Sequence, residues 1–306
     1  MTHNKNFLFI TAKFMALGRF LPKRRVLFKV IRIRSGYWYP GTDVYAKIVK
    51  LVKPVIRNGD FVVVAEKAVL VALGSIYDEK RVLLDPVTML VTRILNGFWL
   101  ALLRKLSSPT VEEVLRHAPL ENLAKHKKLA LRYGSILHFL KPVSEAGIDT
   151  SNLPYHYVAV PLRNMNKIAE GVRRYLGDSL GVRANVMIID SDRMIVFKKL
   201  KSIAIASRPS SCRHVIDLGV LSYIMRFALR KRVKFYPTIV AYAGDQHPFP
   251  MLLTVAKKAE EAMKCELGRT AIEMLQRLNK NSFDKITWMD MSKVNHYPIA
   301  IVRILT

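Results

Sequence analysis

Carboxylates, hydroxyls and an amide gather in two stretches of this chain. Ser144 to Pro154 reads Ser-Glu-Ala-Gly-Ile-Asp-Thr-Ser-Asn-Leu-Pro, and Val186 to Asp192 reads Val-Met-Ile-Ile-Asp-Ser-Asp. Asp149 and Asp190 are hard oxygen donors, and Ser191 adds a hydroxyl beside the second. Donors of this kind suit magnesium or manganese, ions usually shared with the phosphates of a nucleotide. The site exists only if the fold brings the two stretches together. Otherwise the same residues are a capped turn and a solvated strand end.

The elements that must position them can be read from pattern. The second stretch is a buried strand ending on carboxylates, and the first is a loop rich in turn-forming residues. Between them, Met165, Ile168, Val172, Tyr175 and Leu176 form one apolar face of an amphipathic helix over 165–180, which Gly181 ends. Loop, helix and strand end are therefore consecutive, and a helical crossover can return the chain beside its start. Upstream, the turn Asn58-Gly59-Asp60 leads into Phe61 to Ala65, a continuous apolar run expected to be a strand covered on both faces. Glu66 and Lys67 stand directly at its end, where α/β folds place ligand sites, although solvated loop charges give the same pattern.

Elsewhere, Val26 to Ile33 reads as the strand that begins the regular fold, after a basic extension over residues 1–25. A helix over 44–55 should be capped by Thr42 or Asp43. Another opens at Pro109 with Thr110 and Glu113 as a capping box, and a helical hairpin to Tyr133 is interrupted at Pro119. The segment 220–229 is either a helix or a buried strand. A helix over 250–267 closes at Gly268, Thr270 and Glu273 open the next, and 298–305 is a final strand. This is a mixed α/β chain with one main domain over 26–306. The apolar run Pro86 to Leu103 has the length of a membrane span. Its one charge, Arg93, lies near the middle, where insertion costs about 2.5–3.5 kcal/mol. The expectation is a buried or dimer-interface helix, not a spanning one.

The net charge of +27, from 50 Lys and Arg against 23 Asp and Glu, favours nucleotides, nucleic acid or other polyanions without choosing among them. Cys212 and Cys265 carry no metal-binding spacing, and a reducing cytoplasm fits. His117, His126 and His138 have no acidic or cysteine partners at ligand spacing and read as surface or packing residues. There is no signal-peptide pattern near the start, and no GxxxxGK[ST] loop, GxGxxG turn or GxSxG elbow, so any nucleotide site must be built another way.

Taken in order, Gly59-Asp60-Phe-Val-Val-Val-Ala, then Ala146-Gly147-Ile148-Asp149-Thr150-Ser151-Asn152, then a helix, then Val186-Met-Ile-Ile-Asp190-Ser191, this chain resembles the coenzyme F420-0:L-glutamate ligase (gamma-glutamyl ligase) family. The resemblance extends more weakly from about Val30 to the C-terminus. It implies a mixed α/β fold of two intertwined parts, a homodimer, and a GTP-dependent amide ligase. GTP phosphorylates a small-molecule carboxylate, and the amine of L-glutamate attacks the acyl phosphate. By the same resemblance Asp149 and Asp190 bind the divalent metals, Ser191 adds a hydroxyl ligand, and Asn152 contacts the nucleotide. Two carboxylates and a hydroxyl can hold ions that neutralise the transferring phosphoryl group.

The departures are as specific. The family carries a Ser-Lys-Ala-Glu-Gly element whose lysine meets phosphate; here Val71 takes the lysine's place and Leu73 the glutamate's. Lys67, one helical turn or two strand pairs earlier, is the candidate to compensate at the nucleotide. The family's late Ala-Asp-Glu segment is Ala256-Lys257-Lys258, while Asp192 and the run Asp245-Gln246-His247 offer other polar groups. A second function class therefore stays open: a non-catalytic protein of the same fold whose basic surface engages nucleic acid or another polyanion.

Overall fold

The computed structural model describes residues 8–11, 26–106, 109–143, 145–263 and 271–305. Ser144, Cys265, Gly268 and Thr270 lie outside them, as does the side chain of Thr110. In chain order the elements are β1 (Leu8–Thr11), β2 (Leu27–Ser35), α1 (Val44–Val52), β3 (Phe61–Ala65), α2 (Glu66–Ala72), β4 (Ile76–Asp78), α3 (Pro86–Leu106), α4 (Pro109–His117), α5 (Leu120–Tyr133), α6 (Ile136–Phe139) and β5 (Tyr157–Ala159). They continue with α7 (Met165–Leu180), β6 (Asn185–Phe197), β7 (Ala204–Ala206), β8 (Val215–Asp217), α8 (Val220–Ala228), β9 (Val233–Ala243), α9 (Phe249–Ala262), α10 (Ala271–Arg277), α11 (Trp288–Ser292) and β10 (His296–Leu305).

The main sheet runs β1-β2-β10-β3-β6-β7-β8, with β9 also paired to β6, and it is mixed: β3 and β6 are parallel, β10 antiparallel to β3. It is covered on both faces. Val62 and Val64 of β3 pack with Ile48 of α1 and Val172 of α7, while Phe61 and Val63 pack with Leu252 and Val255 of α9. Period-two alternation thus sends successive apolar side chains into two cores, each burial contributing about 1.5–3 kcal/mol. The expected mixed α/β class and the doubly covered strand are what the structure shows. One strand, β1, precedes Val26 and pairs antiparallel with β2.

Several open readings resolve. Asp43, not Thr42, caps α1, accepting from the backbone N–H of Tyr45 and Ala46 at 2.9 and 3.0 Å. The segment 220–229 is helical. Asp60 is 1% exposed and binds the Arg303 guanidinium of β10 through both oxygens, each at 2.7 Å, so the Gly-Asp step clamps the central strand and not the site. The three histidines hold local partners: His117 the Glu113 carbonyl, His126 Glu79, and His138 Asp217.

The long apolar helix α3 is not a core helix of the single chain. The stretch Pro86–Arg104 is long and apolar enough to cross a membrane, yet only 17% of it is buried. Trp99 and Leu103 anchor one side against Leu115, Val220 and Tyr223, whereas Val87, Leu90, Ile94 and Phe98 face outward. Apolar residues occur around most of its circumference, so composition does not say which face is covered.

Candidate functional site

The site forms because β3 runs into α2 without a loop. Ala65 is still extended, and Glu66 and Lys67 are already the first turn of the helix, so both charges stand at the C-terminal end of an interior strand and not on a solvated loop. The parallel register pairs Ala65 with Ile189, which sets Asp190 and Ser191 of β6 beside them. The strand does not end on these carboxylates as expected: β6 runs on to Phe197, and its pairing with β9 shifts register between Asp190 and Arg193, so Ser191 and Asp192 occupy a bulge within it. Bulges re-aim side chains next to functional sites. The loop over 145–153 arrives from the other side, seated by Ala146 and Ile148 against Leu129, Val158 and Val160.

Asp149, Ser151, Asn152, Lys67, Asp190 and Ser191 line one pocket of about 500 Å³, with Tyr37, Glu66, Val71 and His296. Every sequence-predicted site residue is therefore brought together. The run Asp245–His247 is not: it lines a different cleft of about 730 Å³ with Arg173, Arg213 and Tyr242. Val71 is 2% exposed and lies one helical turn from Lys67 on the pocket side of α2.

Lys67 meets three acceptors. Its Nζ pairs with Asp149 Oδ2 and donates to Ser151 O and Oγ at 2.9 and 2.7 Å. An ammonium has three N–H donors, so Lys67 is fully engaged in holding the loop. The remaining oxygen of Asp149 accepts from the Ser151 N–H at 2.7 Å. Asn152 sits in left-handed backbone (φ 59°), its carbonyl accepting from Tyr37 Oη at 2.6 Å, and its Oδ1 is buried with no partner. His296 stacks on Tyr37, and its Nδ1 is likewise buried without a partner.

Behind the pocket stands a residue with no local sequence signal. Arg208, two residues past β7, is 1% exposed; its guanidinium donates to Asp190 Oδ2 at 2.5 Å and to both Glu66 oxygens at 2.5 and 2.7 Å. A pattern search passes over it because it is one basic residue among many, and its partners come from distant elements. Burial pushes the Glu66 carboxyl up to about 7 against the pull of Arg208. Burial, then Asp190, pushes Asp192 up to about 6. At Asp190 burial also disfavours the charge, but Arg208 and Lys67 outweigh it and hold the carboxyl below its ordinary range. Burial, followed by Lys67 and Lys47, draws His296 down to about 4.

These residues do not fit a divalent ion held between Asp149 and Asp190. Each carboxylate already carries a cation of the chain, Lys67 on the first and Arg208 on the second. Unit charges about 4 Å apart interact by about 4 kcal/mol at an effective dielectric of about 20, so a doubly charged ion that close to the guanidinium is opposed by about 8 kcal/mol. Among the described residues no group of three or more His, Cys, Asp or Glu stands together as a metal site.

The site's composition and order agree with what the chain is similar to. An uncharacterized protein of Methanocaldococcus jannaschii is 26% identical over 283 residues, covering 89% of this chain and 95% of that protein. The model of the F420-0:Gamma-glutamyl ligase family matches residues 32–214, which run from β2 through the loop, α2, β6 and Arg208. That match takes in more than half of the 306 residues and all the pocket residues predicted from sequence, and the chain belongs to the F420-0:Gamma-glutamyl ligase family.

Proposed function

We propose that the protein is an acid–amino-acid ligase that joins a small-molecule carboxylate to the amine of L-glutamate, driven by a nucleoside triphosphate, GTP by the family resemblance. The observation that carries this reading is the Asn152 side chain, whose buried Oδ1 has no partner inside the pocket that the family's residues line. A buried acceptor left empty costs about 1–3 kcal/mol, a cost removed by an N–H of a base or amine ligand.

The surrounding charges suit two anionic reactants. Glu66 and Asp190 would repel a carboxylate and a polyphosphate, and Arg208, paired with both from behind, offsets part of that repulsion. Lys67 holds Asp149 and Ser151, and through them fixes where Asn152 is presented. The resemblance assigns magnesium or manganese to Asp149, Asp190 and Ser191, whereas here the cations on those two carboxylates belong to the chain.

Calorimetry with GTP tests the reading. Wild type should bind it, and Asn152→Gly, which tolerates φ 59° and removes only the amide, should bind about tenfold more weakly, the loss of about one net hydrogen bond. Glutamate-dependent phosphate release should fall in parallel. Absence of GTP binding by wild type, with or without magnesium, refutes the ligase. Steeply salt-dependent nucleic-acid binding in its place would favour the polyanion-binding class suggested by the +27 charge.

A further inference from the structure

We propose that Arg208 is an internal replacement for a divalent ion at Asp190, so that the site runs on the protein's own cations and takes up no metal at these carboxylates. The inference concerns the same site as the ligase reading, and its test is run without nucleotide so that the two can fail separately.

The guanidinium bridges Glu66 and Asp190, the carboxylates that stand just past the last parallel pair of β3 and β6. A planar, permanently charged fork can span two carboxylates in this way, and a lysine cannot. Arg208 is also walled in. At Gly147 (φ +78°) an ideal Cβ would stand 2.7 Å from Arg208 Nε and closer still to Cζ, so the glycine of the Ala-Gly-Ile-Asp loop is what leaves room for the guanidinium. Its Nε has no hydrogen-bond partner, which shows that the two carboxylates and not a general polar environment hold the group in place. The side chain cannot swing aside to admit an ion unless the loop over 145–153 lifts with it.

The neighbouring carboxylates follow the same rule. Asp149 is taken by Lys67, and Lys141, 1% exposed, lies in the field of Asp192 while donating to Ser207. Four carboxylates, Glu66, Asp149, Asp190 and Asp192, thus face three cations of the chain, Arg208, Lys67 and Lys141. A resident metal site needs deprotonated ligands with open coordination positions, whereas Asp149 and Asp190 each already carry a cation of the chain.

The test is a titration of Mn²⁺ followed by electron paramagnetic resonance, with the full chain and no nucleotide. Wild type should leave the free-ion signal unattenuated. Arg208→Met, which uncovers Glu66 and Asp190, should remove about one ion per chain, a gain of at least about tenfold in affinity. Stoichiometric Mn²⁺ uptake by wild type overturns the proposal, as does a folded Arg208→Met chain that takes up none. If Arg208→Met does not fold, the wild-type titration decides alone.

Discussion

Gly147 and Gly59 form a matched pair that isolates the packing of Arg208 from backbone strain. Their φ angles are +78° and +79°, but a Cβ at Gly147 runs into the guanidinium, whereas at Gly59 nothing lies within 4 Å. Alanine at either position incurs the left-handed backbone cost of about 1–2 kcal/mol. At Gly147 it must also push the guanidinium off Glu66 and Asp190, and breaking a buried charge pair costs about 3–5 kcal/mol. Gly59→Ala should therefore lose about 1–2 kcal/mol and Gly147→Ala about 4–7 kcal/mol. Urea denaturation followed by circular dichroism reads the difference, because a gap of about 3 kcal/mol at a slope near 3 kcal/mol/M separates the midpoints by about 1 M. Coincident midpoints, or the larger loss at Gly59, would refute the account of Gly147 as a seat for Arg208.

Three further outcomes follow from the same geometry. Arg303→Met strands Asp60, which is 1% exposed, and should cost about 3–5 kcal/mol; Arg303→Lys should recover little, since only the fork meets both oxygens, and a wild-type melting temperature for either would contradict the clamp. His296 has its pKa lowered from 6.5 to about 4, so the unfolded chain binds the extra proton and stability contributed above pH 6.5 is lost as pH falls toward 4, by up to about 3 kcal/mol. His296→Phe should keep the Tyr37 stack and remove that slope, and equal pH dependence of wild type and variant in urea melts would rule it out. Val71→Lys should not restore a phosphate ligand but destabilise the fold by at least about 2 kcal/mol, because position 71 is packed in the core beside Val69 and Leu70; an unchanged denaturation midpoint would show otherwise.

The sequence by itself determined the parts whose cause is local. A continuous apolar run after a turn marked β3, helical spacing and Gly181 marked α7, and the order of turn-rich loop, helix and acidic stretch, taken with the family resemblance, put Asp149, Asn152, Asp190 and Ser191 forward as one group. The crossover then had little freedom, and the parallel β3–β6 register placed Glu66 and Lys67 with them. What only the tertiary structure decided was the electrostatic state of that group. Arg208 reaches Glu66 and Asp190 across the fold, and no spacing rule links residues that meet only after the sheet has closed around them. The same holds for Asp60, whose partner Arg303 lies near the other end of the chain, and for α3, whose apolar length says nothing of how little of it the chain itself covers. Local pattern specifies which side chains arrive at a site; which charges meet there, and so whether a carboxylate is open to a metal, depends on contacts between elements far apart in sequence.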